Sequence, residues 1–259
     1  MHNIQVLGNY RSGTTYLSNV IRAYRPYMYF LSEPFNKTSK SAKENNIDPD
    51  NYDAVVEFFK SNLDDIEYRA CKDKFNNILI RNQIDQYYYL QKINLLNRLL
   101  LQLQEYNFYT IVLIRKNVIE TALSFVLAWT TNNWDTFNYD ETANFMINKK
   151  DVGKRLENVL QCLGWLLKNE FQIKYDKVIM YEDLPQQPEK AYEYLNLKDT
   201  RDEKINLEKF IPKKAPDKKK VVANYDEIFE YCNDIIARKQ FSNMSFKDGT
   251  LDNMKLNIQ

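Results

Sequence analysis

Histidine is almost missing from this sequence, and its scarcity narrows the chemistry open to the chain. Among 259 residues the only histidine is His2, which precedes the first predicted strand. Any reaction that needs a general base is therefore expected to use a carboxylate rather than an imidazole.

Cysteine and glycine are also scarce, with three and five residues respectively. The cysteines Cys71, Cys162 and Cys232 are odd in number and widely spaced, and none belongs to a CxxC-type metal motif. We interpret them as reduced thiols and expect a cytoplasmic protein. Because glycines are so few, each glycine in a predicted turn requires a specific explanation.

Long apolar runs and a net charge are lacking as well. No apolar run approaches the roughly 18 residues that span a bilayer, and residues 1–7 lack the basic start and apolar stretch of a signal peptide. The 36 basic and 35 acidic side chains leave a net charge of +1. Such a balance predicts no general attraction to nucleic acid or to an anionic membrane, so any anion must be bound by a local arrangement of charges.

Apolar runs typical of strands alternate with segments of helical periodicity along the chain. This alternation predicts one α/β domain over residues 1–259, with a mainly parallel sheet covered by helices on both faces. Strands are expected at Asn3–Gly8, Tyr27–Leu31, Glu67–Lys72, Phe108–Ile114 and Lys177–Met180. Helices are expected at Thr14–Tyr24, Tyr52–Ser61, Gln86–Gln104, Lys116–Trp129, Asp140–Phe171, Gln186–Leu195 and Val221–Cys232. Asn36–Asp50 and Ile211–Lys220 are predicted loops, and a polar tail begins at about 240.

The first motif is a strand, a tight turn and a helix start, which read Gly8-Asn-Tyr-Arg11-Ser12-Gly13-Thr14-Thr15. The unpaired N–H groups at a helix N-terminus attract anions, and Gly13 lets the backbone approach a phosphate closely. The spacing of Gly8 and Gly13 matches a nucleotide P-loop, but the lysine that would follow Gly13 is replaced by Thr14. The alternative is an ordinary corner capped by Ser12 or Thr14.

The second motif is a strand that ends in Arg115, followed by a helix that carries Ser124. Helix geometry makes Ser124 lean back toward the helix start, so Arg115 and Ser124 are candidates to hold one phosphate from two sides. The alternative is a strand-end arginine beside a core helix with an outward-facing serine.

These motifs resemble those of sulfotransferases. Arg11-Ser12-Gly13-Thr14-Thr15 is similar to the loop that binds the 5'-phosphosulfate of 3'-phosphoadenosine 5'-phosphosulfate (PAPS). The segment Arg115 to Trp134, with Ala122, Ser124 and Ala128, is similar to the 3'-phosphate motif of the bacterial trehalose (glycolipid-pathway) sulfotransferase family. Weaker matches are Tyr181-Glu182-Asp183-Leu184 and the closing helix around Asn224, which basic Lys213 and Lys214 precede.

The resemblance implies a three-layer P-loop-like fold and transfer of a sulfuryl group from PAPS to a hydroxyl of a carbohydrate or other small acceptor. It implies that Arg11, Ser12, Gly13, Thr14 and Thr15 hold the 5'-phosphosulfate, and that Arg115, Ser124, Lys213 and Lys214 hold the 3'-phosphate. Arg11 also counts as catalytic, because a loop cation stabilises the departing phosphate. No metal is implied. The family's lysine before the second motif has no clear counterpart, since Lys72 lacks the usual neighbouring glycine.

Glu33, in Leu31-Ser-Glu33-Pro34-Phe35, is the candidate base. Carbohydrate-type sulfotransferases often carry a glutamate in such a Glu-Pro segment, and we expect the strand before Glu33 to lie beside the Arg11 loop. The alternative is a turn glutamate with no chemical role.

Two other functions remain open from the sequence. A P-loop small-molecule kinase would need a lysine after Gly13 and an aspartate that holds magnesium. A non-catalytic PAPS-binding module would keep both anion sites without a working base. The acceptor and the oligomeric state are not predicted.

Overall fold

The computed structural model describes residues 3–25, 28–34, 36, 39–48, 50–58, 60–61, 77–84, 93–134, 143–169, 172–197 and 217–255. The strands in this part of the chain are β1 (Asn3–Gly8), β2 (Met28–Ser32), β3 (Asn77–Gln83), β4 (Phe108–Ile114), β5 (Lys177–Met180), β6 (Met244–Lys247) and β7 (Thr250–Met254). The helices are α1 (Thr14–Tyr24), α2 (Lys40–Glu44), α3 (52–58), α4 (Ile93–Glu105), α5 (Val118–Thr131), α6 (Lys149–Lys168), α7 (Pro188–Leu195), α8 (Lys218–Val221) and α9 (Tyr225–Arg238). A short 3₁₀ turn, Tyr181–Asp183, follows β5.

The central sheet contains β1 to β5 in the order β2-β3-β1-β4-β5. Every neighbouring pair in it is parallel. Helices cover the sheet on both sides, which confirms the predicted three-layer α/β fold.

Each strand supplies side chains to two different cores, because successive residues of a strand point to opposite faces. In β1, Ile4 and Val6 pack on the face covered by α1 and α7. Leu7 packs on the other face, together with side chains of α4, α5, α6 and α9. Since all five strands run in the same direction, their carboxyl ends lie along one edge, where the connecting loops can form a site.

Strand β3 was not predicted, and it changes the position of β2. β3 lies between β1 and β2 and pairs with both of them. Because β2 does not pair with β1, the contact between Glu33 and the Arg11 loop is made through the Tyr10 side chain. The predicted strand Glu67–Lys72 lies outside the described residues.

Several other boundaries differ from the predictions. Part of the expected loop Asn36–Asp50 is α2, and the end of the expected loop Ile211–Lys220 is the start of α8. The long helix expected over Asp140–Phe171 is shorter, at Lys149–Lys168. The final helix begins at Tyr225 rather than Val221, since a turn at 223–224 separates α8 from α9.

The predicted polar tail contains a β-hairpin that packs on the start of α5. Strands β6 and β7 are antiparallel, and both turn residues, Asp248 and Gly249, have a positive φ (47° and 68°), as a tight hairpin turn requires. The Val118 N–H donates to the Gly249 carbonyl at 3.0 Å, and the Leu251 N–H donates to the Lys116 carbonyl at 2.9 Å. The hairpin thereby holds the segment that directly follows Arg115.

Within the described ranges, no helix has both the length and the apolar character needed to cross a membrane.

The turn after β1 predicts a sharp difference between two glycine-to-alanine variants. A Cβ at Gly8 would lie 2.6 Å from Ser12 Oγ, 2.7 Å from Thr14 Cγ2 and 2.8 Å from the Leu113 carbonyl oxygen. We expect Gly8→Ala to lower the free energy of unfolding by about 1–3 kcal/mol, because backbone and a buried side chain would have to move.

Gly164→Ala is the matched control, since a Cβ at this position in α6 meets no atom within 4 Å. Alanine favours a helix over glycine, so this variant should be more stable than the wild type by up to about 1 kcal/mol. Urea denaturation of both variants measures the difference. A Gly8→Ala protein as stable as the wild type would show that the turn is not closely packed.

Candidate functional site

The loop after β1 is held in a compact turn by its own polar groups. Ser12 donates from its hydroxyl to the Asn9 carbonyl at 2.6 Å, and its backbone N–H donates to the same carbonyl at 3.2 Å. Arg11 and Gly13 both have a positive φ, at 65° and 94°. The hydroxyl of Ser12 is thus used inside the turn, and contact between this side chain and a ligand stays a prediction.

The two threonines that follow point in different directions. Thr14 is buried, with 2% of its surface exposed, whereas Thr15 is exposed. Thr15 accepts a hydrogen bond from Arg81, a residue of β3 that the sequence analysis did not identify. Of these two threonines, only Thr15 therefore lies at the surface of the site.

The N-terminus of α1 has no side-chain cap in the described structure. Gly13 is the N-cap residue and has no side chain to accept the first N–H groups. The cap by Ser12 or Thr14 that the alternative interpretation expected is therefore not found at this helix start. The first N–H groups of a helix have no partner within the helix, and together with the helix dipole they favour an anion.

The N-terminus of α5 differs, because side chains occupy it. Asn117 accepts a hydrogen bond from the Glu120 N–H at 2.8 Å. Glu182, from the 3₁₀ turn after β5, accepts from the Lys116 N–H at 2.9 and 3.0 Å through its two carboxylate oxygens. Glu182 thus binds the backbone that leads into α5. Of these two helix starts, only that of α1 lacks a side-chain cap among the described residues.

Arg11, Arg115 and Ser124 lie together at the edge of the sheet. Arg11 Nε donates to Ser124 Oγ at 3.1 Å, and Arg115 Nη1 donates to the Arg11 carbonyl at 3.2 Å. Arg11 Nη1 also donates to the carbonyl of Trp134 at 2.8 Å. The two predicted anion motifs are therefore adjacent, with the Arg11 side chain at their boundary.

A third cation reaches this region from α8. The Lys218 side chain is 7% exposed, and its Nζ lies 2.5 Å from Glu120 Oε2. Tyr225 donates to the other oxygen of Glu120 at 2.8 Å. Burial lowers the pKa of Lys218; Glu120 opposes this shift, and Arg115 and Arg11 add to it. Lys218 is therefore paired with Glu120 and lies close enough to Arg115 and Arg11 to feel their charge.

Glu33 is held by three neighbours. Its carboxylate lies 3.2 Å from Arg81 Nη2, and both side chains are 13% exposed. Asn36 donates to Oε2 at 3.2 Å, and the Tyr10 hydroxyl donates to the same oxygen at 3.5 Å. The backbone of Glu33 also has a positive φ of 54°. Although β3 separates β2 from β1, Tyr10 brings Glu33 into contact with the Arg11 loop.

Arg81 is the functional candidate that the sequence analysis missed. It joins β2 to α1, because it donates to Ser32 Oγ at 2.5 Å, pairs with Glu33 and donates to Thr15. The signal that could have found it is the apolar run Ile78-Leu79-Ile80 followed by an arginine. Phe108–Ile114, followed by Arg115, has the same form.

Burial shifts the pKa values of two other side chains near the loop, Tyr10 and Arg155. It raises the pKa of Tyr10, and the Glu33 carboxylate raises it further, so this phenol is held as a hydrogen-bond donor. Burial lowers the pKa of Arg155 to about 10. The Arg155 guanidinium stays charged at neutral pH and lies 3.7 Å from the centroid of the Phe125 ring.

Some predicted residues lie outside the described residues, namely Lys213, Lys214, Lys72 and His2. Within the described ranges, no three His, Cys, Asp or Glu side chains form a group that could hold a metal ion.

Comparison with known proteins does not assign the chain to a family. No protein-family model matches the chain, and no curated protein matches it significantly.

Two adjacent lysines of α8 allow a test of the buried cation. Lys218→Met removes the partner of Glu120 and leaves that carboxylate in a confined position, which should lower the free energy of unfolding by about 3 kcal/mol. Lys219→Met is the control, because the Lys219 and Asp226 side chains are 65% and 77% exposed. We expect no measurable change for this variant. Equal urea midpoints for the two variants would contradict a buried ion pair at Lys218.

Proposed function

We propose that this protein is a PAPS-dependent sulfotransferase of P-loop-like architecture. It would transfer a sulfuryl group to a hydroxyl of a carbohydrate or of another small acceptor. The observation that carries the proposal is the uncapped N-terminus of α1 beside Arg11, Arg115 and Ser124, at the carboxyl edge of a parallel sheet. This arrangement suits a ligand with two separate anionic groups.

The residues divide between the two groups of the donor. The loop from Arg11 to Thr15 and the first N–H groups of α1 would hold the 5'-phosphosulfate. Arg115 and Ser124 would hold the 3'-phosphate, with Lys213 and Lys214 as further candidates. In the structure Arg11 donates to Ser124, so Arg11 would exchange this hydrogen bond for one to the ligand. The positive charge of Lys218 supports an anion nearby while Glu120 anchors it.

Glu33 would act as the general base. The donor supplies a sulfuryl group that is already activated by its bond to phosphate. Glu33 would accept the proton of the acceptor hydroxyl through its carboxylate, of which Arg81 contacts Oε1 and Asn36 and Tyr10 contact Oε2. Arg81 would then act as a positioning residue that fixes the direction of the carboxylate. Arg11 would balance the charge that collects on the departing phosphate.

The loop chemistry favours sulfuryl over phosphoryl transfer. The position after Gly13, where a P-loop kinase carries lysine, holds the buried Thr14. A sulfuryl group carries less negative charge than a phosphoryl group, so a single loop arginine is sufficient to stabilise its charge during transfer. A kinase remains the alternative among enzymes, and a PAPS-binding module without turnover is the alternative among binding proteins.

A turnover assay tests the function and the base together. The protein should transfer label from a radiolabelled sulfuryl donor to a component of a metabolite extract, with or without EDTA. Glu33→Gln should lower kcat by about 10²–10⁴-fold, because general-base catalysis typically contributes this much. Affinity for adenosine 3',5'-bisphosphate should stay nearly unchanged, since Glu33 does not belong to the proposed anion sites.

Glu44→Gln provides the same substitution at a side chain that is 61% exposed, and it should be as active as the wild type. A near-normal kcat in Glu33→Gln would show that a residue other than Glu33 is the general base. Loss of bisphosphate binding in this variant would make Glu33 a scaffold residue. Magnesium-dependent transfer from ATP would favour the kinase.

A further inference from the structure

An aromatic cluster, formed by Tyr10, Phe125, Trp129 and Trp134, extends from the proposed site to the surface. Phe125 is its centre. The ring centroids of Tyr10 and Trp134 lie 5.6 and 5.4 Å from that of Phe125, and the Trp129 centroid lies at 6.3 Å in an edge-on arrangement. These spacings are typical of aromatic rings in contact.

The inner end of the cluster contacts the proposed reacting groups. The Tyr10 hydroxyl donates to Glu33, and the carbonyl of Trp134 accepts from Arg11. The guanidinium of Arg155, which is 8% exposed, stacks on the buried side of the Phe125 ring. The cluster is therefore continuous with both the candidate base and the loop cation.

The outer end is exposed. Trp129 is 70% exposed and Trp134 is 38% exposed, whereas Trp165, the third tryptophan, is partly buried and packs against the core. Contiguous exposed apolar surface rimmed by polar groups commonly marks a binding site. Trp129 lies one helical turn after Phe125 on α5, and Phe125 connects it to Tyr10, which contacts Glu33.

We infer that Trp129 and Trp134 form an acceptor subsite that binds a pyranose ring of a carbohydrate; this inference rests on the proposed function. An open indole suits a pyranose, because the C–H groups of a sugar pack on the ring while its hydroxyls remain in water. A phenolic acceptor is apolar on both faces and gains most from enclosure between two surfaces. Among the described residues, Trp129 presents an exposed ring rather than the wall of an enclosed slot.

Sugar binding can be measured apart from turnover. Maltose and cellobiose are the probes, and p-nitrophenol is the phenolic comparison. Each is titrated into the full chain with and without saturating adenosine 3',5'-bisphosphate, with tryptophan fluorescence and calorimetry as readouts. At least one disaccharide should bind saturably. Trp129→Ala should weaken this binding about tenfold or more, as truncation of a central aromatic contact commonly does.

Tyr194→Ala is the matched control, because Tyr194 is an exposed aromatic (41%) on α7, which covers the opposite face of the sheet. It should leave disaccharide affinity unchanged. Trp129→Phe should recover part of the lost affinity. In Trp129→Ala the affinity for adenosine 3',5'-bisphosphate should equal that of the wild type, since no anion contact is removed.

The outcomes separate the subsite from the proposed function. Disaccharide binding that depends on Trp129 but persists in a protein unable to bind the bisphosphate would support the subsite and reject the sulfotransferase. Binding of the bisphosphate together with unaltered disaccharide affinity in Trp129→Ala would overturn the subsite. Saturable binding of p-nitrophenol alone, or of none of the three probes, would also overturn it.

Discussion

The site depends on the close approach of three loops at the carboxyl edge of the sheet. The Tyr181 ring, after β5, lies against the backbone of Gly13, so that even a methyl group at this position would collide with it. The guanidinium of Arg115, after β4, lies 5.5 Å from the centroid of the same ring. Glycine is needed at Gly8 and Gly13 because backbone and side chains occupy the space around them. This packing brings the N-terminus of α1 next to the two arginines.

Electrostatics then distinguishes the two helix starts at this edge. Internal groups, Asn117 and the Glu182 carboxylate, satisfy the start of α5, whereas the described residues provide no side-chain cap for the start of α1. The C-terminal hairpin supports the first arrangement, since its backbone pairs with Lys116 and Val118. A helix start surrounded by cations and lacking an internal carboxylate is suited to an anionic ligand.

The sequence predicted those parts of the fold in which local pattern and burial agree. Phe108–Ile114 is a continuous apolar, β-branched run, and the structure has a strand over the same residues. Strand β3 was missed because its apolar run, Ile78–Ile80, is followed by buried polar residues, and only its pairing with β1 and β2 accounts for their burial. The motifs assigned Arg11 and Ser124 to separate anion sites, and their hydrogen bond was not predicted, because only the fold brings the two motifs together. The role of Lys218 could not be predicted either, because nothing local distinguishes it from Lys219; the fold alone buries one and exposes the other.

The proposal that the site binds a ligand through two separate anionic groups is tested most directly by calorimetry. The wild-type protein is titrated with adenosine 3',5'-bisphosphate and with AMP. The two ligands share the 5'-phosphate and differ in the 3'-phosphate, which Arg115 and Ser124 would hold. A charge-assisted contact of this kind contributes about 1.5–3 kcal/mol, so the bisphosphate should bind about tenfold or more tightly than AMP. Equal affinities for the two ligands would contradict the assignment of Arg115 and Ser124.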